Sequence, residues 1–283
     1  MQITRRFAHC NGIRIRYVES GSGPSVVFLH GFPDFSYSWR YQMPALTSAG
    51  YRCIAPDLRG YNESDKPPHV RDYRMSELVH DVTDFIANVA GGKAGVVGHD
   101  WGGVIGWHLA MQEPARVRRL VILNAPHPAR LRQALRTPAQ LLRFWYTGAF
   151  QIPFLPELVL SSLHFRLLTR AAARNEAERE IYEEALSQPG ALTSALNYYR
   201  AAFRALVKGQ AQPITRSTTP TLVLWGEKDR ALASKLVEGL DRYVEHVEVR
   251  RFPQLGHWLH IDRPDLINPE IVNFLNAERS AVS

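Results

Sequence analysis

Four short segments carry residue types that could do covalent chemistry together. The first is Gly98-His99-Asp100-Trp101-Gly102-Gly103. It follows an apolar run and opens a segment of helical period. That is the G-x-nucleophile-x-G pattern of a sharp strand-to-helix turn, with Asp in the nucleophile's place. Glycines suit such a turn because a Cβ on either flank would collide with neighbouring backbone. The same hexapeptide also suits an ordinary strand–helix loop with a capping Asp. The second segment, His30-Gly31-Phe32-Pro33, follows another apolar run. Turns of this kind hold a developing oxyanion with one amide just after the nucleophile and one from such an earlier loop. Those amides would be Trp101 and Phe32. His30 and Pro33 would border the substrate, unless His30 only ties its loop to backbone.

The third and fourth segments are Gly226-Glu227-Lys228-Asp229 and Gly256-His257-Trp258. The chain order is then nucleophile, acid, histidine. Among 11 histidines, His257 stands out for the strand before it and the glycine beside it. Glu227 competes with Asp229 for the acid's place; Asp229, further out on its loop, is preferred. Asn124 is not a carboxylate and cannot serve. A carboxylate nucleophile needs no base before attack, because an ordinary Asp, with a pKa of about 3.9, is already ionised at neutral pH. It can attack a saturated carbon and leave an alkyl ester. His257, oriented by Asp229, would then activate the water that hydrolyses the ester.

The elements that must position these groups follow from the apolar pattern. Strands are predicted at 14–19, 25–29, 52–55, 95–97, 117–123, 221–225 and 247–252. Helical patterns occupy 39–48, 75–89, 103–112, 234–240 and 269–276. Continuous apolar strands alternating with helices mean a mostly parallel sheet covered on both faces. Residues 127–213 break the alternation. They hold helical patterns at 139–146, 157–169, 176–186 and 192–207 and no convincing strand. An insertion there, at the ligand-binding end of the sheet, is where a lid belongs. The predicted organisation is a core of 1–126 and 214–283 interrupted by a helical cap at 127–213.

Composition narrows the classes further. Of 283 residues, 45% are hydrophobic and 22% charged, which excludes a disordered chain. Cys10 and Cys53 are too few for a disulfide framework and lack zinc-ligand spacing. Arg5-Arg6-Phe7 is followed by no apolar stretch, so an export peptide is not expected. The most apolar stretch, 141–163, contains Arg143, Pro153, Pro156 and Glu157 and makes a poor membrane span. A cytoplasmic protein without a stable membrane anchor is expected. The net charge of +7 permits a nucleic-acid partner, but the basic cluster from Arg116 to Arg136 comes with no nucleic-acid motif. Oligomeric state is open between monomer and homodimer.

Taken with Asp57-Leu58-Arg59-Gly60-Tyr61 and Ser64-Asp65-Lys66-Pro67, these motifs resemble the α/β-hydrolase superfamily, and within it the epoxide hydrolases, over essentially the whole chain. The resemblance implies an eight-stranded, mostly parallel sheet with helices on both faces and an inserted cap. Two lid segments match the family's paired tyrosine motifs: Phe144-Trp145-Tyr146 with Phe150, and Leu196-Asn197-Tyr198-Tyr199-Arg200. By that match Tyr146 and Tyr199 would hold the epoxide oxygen, and Tyr198 would not. The partners implied are a small apolar epoxide and water, with no metal, nucleotide or redox cofactor. Phe32, Trp101, Phe144, Trp145, Phe150, Phe154 and Trp258 would line the lid. Haloalkane dehalogenases resemble the sequence next, using the same Asp–His–acid set; they usually carry Asn where Phe32 stands. A non-catalytic ligand receptor on the same fold is the alternative from another class.

Overall fold

In a computed structural model, which describes residues 2–162 and 164–277, the chain forms one eight-stranded sheet. The strands are β1 (Thr4–Cys10), β2 (Ile13–Ser20), β3 (Ser25–Leu29), β4 (Arg52–Pro56), β5 (Ala94–His99), β6 (Val117–Leu123), β7 (Thr221–Gly226) and β8 (Val247–Phe252). Their spatial order is β1-β2-β4-β3-β5-β6-β7-β8. β1 and β2 are antiparallel to their neighbours; every other pair is parallel.

The central strands β3, β5 and β7 are buried throughout, as their unbroken apolar sequences require. Alternate residues serve opposite faces. Val27 and Leu29 join Phe85, Trp107 and the cap residue Leu196 on one side. Val26 and Phe28 join Met43, Leu46, Ile271 and Phe274 on the other. The helices on those faces are α1 (Gln42–Ser48), α2 (Met75–Asn88) and α3 (Trp101–Gln112).

Between β6 and β7 the described residues form α4 (Pro128–Ala134), α5 (Pro138–Arg143), α6 (Trp145–Ala149), α7 (Leu155–Ser162), α8 (Arg166–Ala172), α9 (Glu176–Ser187) and α10 (Ala191–Val207). After β8 come α11 (Leu259–Asp262) and α12 (Pro264–Asn276). The cap is tied to the core by buried polar contacts. Tyr182 donates to Asp34 at 2.9 Å, Tyr198 to the Arg59 carbonyl at 2.7 Å, and Arg40 pairs with Glu178 at 2.8 Å.

Several predicted elements differ. Strand β1 went unpredicted, because Arg5 and Arg6 stand side by side and residues 5–7 are all exposed, which leaves no apolar alternation to read in this edge strand. The signal lay in Asn11-Gly12, a two-residue turn with positive φ at both positions. The helix expected over 157–169 is two helices, separated near His164 and Phe165, which are left-handed; Leu163 lies outside the described residues. The helix expected over 139–146 divides at Phe144. The one expected over 234–240 is a pair of 3₁₀ turns parted by Gly239. Pro269 lies inside α12, which Pro264 opens.

Candidate active site

Every polar group singled out in the four segments lies beyond the carboxyl end of a strand, where open α/β sheets place ligands. Asp100 follows β5 with φ 50 and ψ −120. That left-handed backbone is costly for an Asp and persists only where surroundings enforce it. The enforcement is close approach. A Cβ on Gly98 would lie 2.6 Å from the Gly102 carbonyl, and one on Gly102 would overlap the carbonyl of Leu29. Bare backbone at both flanks lets α3 pack down onto β3 and leaves the Asp100 side chain above the sheet.

The two oxygens of Asp100 have different surroundings. Oδ1 accepts the Phe32 amide at 2.9 Å, and the Trp101 amide also bonds this carboxylate. Oδ2 faces His257 Nε2 at 3.7 Å, too long for a hydrogen bond. Burial raises the Asp100 pKa, opposed by His257 and the two amides. His257 bonds Asp229 Oδ2 through Nδ1 at 2.6 Å. Burial works against its charged form, yet Asp229, Asp100 and Asp34 together carry its pKa up to about 9. Asp229 is buried, and its Oδ1 accepts the amides of Ala231 and Leu232. Burial pushes its carboxyl up, but His257 and these bonds hold it below the ordinary value. Glu227, the competing carboxylate, instead meets Arg251 at 3.2 Å.

Cap aromatics close over this floor. Tyr199 packs edge-on against Phe32, Trp101 and Phe150, with ring centroids 5.1–5.5 Å apart. Tyr146 lies 6.0 Å from Tyr199 and 5.6 Å from Phe150. Burial, and after it the charge of Asp100, raises both phenol pKa values. Tyr198 points elsewhere, spending its hydroxyl on the Arg59 carbonyl.

Other expected positions fall differently. His30 is fully buried and uses both ring nitrogens on backbone, against the Leu58 amide and the Gly31 carbonyl. No polar atom of it is left for a substrate. Pro33 is buried behind a cis peptide bond with Phe32. Trp258 packs on the His257 ring and donates to Asp34 at 3.0 Å. Trp145 and Phe154, expected as lid lining, are 70% and 84% exposed. Both were expected to line the lid because they are apolar, and the outer side of the cap is itself rich in apolar side chains.

Three residues were missed. Asn124 donates to Asp229 Oδ2 at 2.7 Å and accepts the Gly226 amide, holding the acid in place. Asp34 is buried between Tyr182 and Trp258, and burial, only partly offset by those two donors, raises its pKa to about 6. His99 bonds the His257 carbonyl at 3.0 Å. Asp34 and His99 sit inside or beside motifs already noted, while Asn124 was weighed only as an acid.

Residues 24–264 match the family model of the alpha/beta hydrolase fold. Human epoxide hydrolase 4 is 37% identical over 95% of this chain and 77% of its own. Epoxide hydrolase 3 of Xenopus tropicalis is 38% identical over 95% and 76%. The chain belongs to the epoxide hydrolase family of α/β-hydrolases. A solved member of that family, the epoxide hydrolase of Bacillus megaterium, captured as a point mutant with its diol product, superposes with a TM-score of 0.89. It is 28% identical, over 96% of this chain and 100% of its own. The relatives also include a chain whose name carries no substrate: the AB hydrolase superfamily protein YfhM of Bacillus subtilis is 37% identical over 95% and 97%. Among the described residues no helix is long and apolar enough to cross a membrane.

Proposed function

We propose that this chain hydrolyses a small apolar epoxide to a vicinal diol through an alkyl ester on Asp100. The observation that carries the reading is the asymmetry of the Asp100 carboxylate. Oδ1 accepts the Phe32 amide, the Trp101 amide also bonds the carboxylate, and Oδ2 has only His257 at 3.7 Å beside it, while the half-buried phenols of Tyr146 and Tyr199 feel the Asp100 charge. In this reading Oδ2 attacks an epoxide carbon and the C–O bond breaks toward oxygen. Tyr146 and Tyr199 donate to that oxygen, and one delivers its proton. Esterification removes the negative charge that helped raise the phenols, so the donors strengthen as attack proceeds.

The same neutralisation acts on His257. Its high resting pKa owes part of its rise to Asp100, and the ester removes that part. His257 then gives up a proton more readily and can take one from water. Hydroxide attacks Cγ, the charge collects on Oδ1 within the Phe32 and Trp101 amides, and collapse expels the diol oxygen. Each such amide contributes about 2.7–4 kcal/mol in comparable sites. His257 returns its proton to the expelled diol oxygen, the second water proton, left on the re-formed Asp100 carboxyl, restores the phenol, and Asp229, oriented by Asn124, stabilises the imidazolium meanwhile. The division into core and cap at 127–213 supports this reading by giving the phenols and the nucleophile to separate layers. The buried free thiols of Cys10 and Cys53 support a cytoplasmic setting.

The test is His257→Gln incubated with epoxides and with haloalkanes, followed by mass spectrometry of the peptide containing Asp100. An epoxide adduct is expected, with diol released by the wild type. In the wild type, ester decay should speed up as pH rises through the His257 pKa of the ester, which lies below the resting value because the Asp100 charge is gone, and level off above it, while ester formation changes less. Adducts from haloalkanes alone, with halide release, would overturn the proposal in favour of dehalogenation. Reversible binding without any adduct would leave a receptor.

A further inference from the structure

We propose that the outer face of the cap docks on the surface of an anionic phospholipid bilayer. This inference rests on surface chemistry alone and stands whatever substrate the site takes. Of the 15 exposed large hydrophobic side chains among the described residues, 12 lie between Leu141 and Val207. Leu142 is 76% exposed and Leu158 66%. Arg200 of α10 bonds the carbonyls of Phe150 and Ile152 and pairs with Glu157 of α7, which fastens α10 to the α6–α7 connection. Phe203, Leu206 and Val207 follow one to two turns further along α10 and are exposed. An open groove of about 750 Å³ lies between α7 and the start of α10, bordered by Phe154, Leu158, Phe165 and Leu192. Soluble proteins rarely leave so much contiguous apolar surface to water without an interaction partner.

Charge selects the partner. Residues 127–213 hold 11 Lys and Arg against 6 Asp and Glu, so five of the seven net positive charges fall in this part of the chain. Five of those six acids sit on α9, the helix bound to the core through Glu178 and Tyr182. The apolar helices α5 to α8 contain one acid, Glu157, and it is spent on Arg200. Arg166, Arg170, Arg204 and Lys208 are exposed and have no acidic partner within 4 Å among the described residues. A second copy of the chain would set these cations against their own kind, which opposes pairing. Nucleic acid would find few aromatic platforms among Leu and Val side chains. A bilayer surface offers acyl chains to the Leu, Val and Phe residues and phosphates to the cations at one depth, the arrangement interfacial proteins use.

The protein carries its own reporter. Trp145 is 70% exposed on this face, whereas the other five tryptophans are buried or half-buried. Mixing the protein with phosphatidylcholine vesicles containing phosphatidylglycerol should shift Trp145 emission to the blue and sediment the protein with the vesicles. Pure phosphatidylcholine should bind it far less, and added salt should release it. Arg166→Glu with Arg170→Glu, and separately Phe154→Ser with Leu158→Ser, should each weaken vesicle binding about tenfold or more. Unchanged thermal melts check the folds, and Leu142→Ser replaces any pair that fails. Three results would overturn the proposal. One is no binding to anionic vesicles. Another is equal binding to both vesicle types. The third is a dimer, seen by light scattering, that Phe154→Ser with Leu158→Ser dissolves without changing vesicle binding.

Discussion

The strand-end floor of the site and the outer face of the cap are built on opposite principles. On the floor, both oxygens of Asp229 and one of Asp100 have hydrogen-bond partners, and the backbone is packed so closely that glycine is compulsory. On the cap, helices are short, their breaks fall at single residues, and large apolar side chains face outward. The difference teaches where tolerance should lie. Chemistry that needs atoms fixed to fractions of an ångström sits in close-packed backbone, and the layer that must admit a molecule is assembled from broken helices with apolar side chains left outward.

The largest effect expected from this contrast is at Gly102. Gly102→Ala would drive a methyl into the Leu29 carbonyl, which belongs to a central buried strand and cannot give way. Destabilisation of at least about 3 kcal/mol is expected, together with loss of activity beyond what the lost stability explains. Chemical denaturation measures it. A change under about 1 kcal/mol would mean the turn is more pliant than the packing implies.

The elbow was readable from sequence because its chemistry is local: a nucleophile between glycines, six residues in one run. The order of Asp229 and His257 was readable because a strongly apolar strand precedes the first, and a weaker, alternating strand and a glycine precede the second. What holds these residues was not. Asn124 reaches Asp229 across 105 positions and Tyr182 reaches Asp34 across 148. No periodicity encodes such pairs; only the closed fold brings them together. The cap suffered most. Its helices are amphipathic enough to be found, but Trp145 and Phe154 were assigned to the lining for being apolar, and apolar character does not tell the inner side of the cap from an outer side that is itself rich in exposed apolar residues.

Adjacent tyrosines sharpen the comparison at intermediate size. Tyr198 and Tyr199 share a helix and differ by one step of its rotation. Tyr198 serves the floor, bonded to Arg59, and Tyr199 faces the reaction space against Trp101 and Phe32. Tyr199→Phe should lower kcat/KM for diol formation by about 10²-fold with the melting temperature nearly unchanged. Tyr198→Phe should do the reverse, costing about 1 kcal/mol of stability and little activity. Equal effects of the two on activity would show that the hydroxyl of Tyr199 has no special part in the reaction.

The smallest effect is at Gly148, and it tests whether the cap's face is as open as it looks. Gly148 sits in α6 with nothing within 4 Å of where a Cβ would stand, and its φ is not left-handed. Glycine within a helix gives up more backbone entropy than alanine does, so Gly148→Ala should stabilise this turn by about 0.5–1 kcal/mol. The gain is local, because α6 is a short helix on the looser side of the comparison. It should therefore appear as slower amide exchange in α6 more clearly than as a rise in melting temperature, which would be about 1–3 °C at most. Faster exchange would mean that a methyl meets something at this spot in solution. The cap would then be covered there by a neighbouring surface, and its outer face would not be free to accept a bilayer.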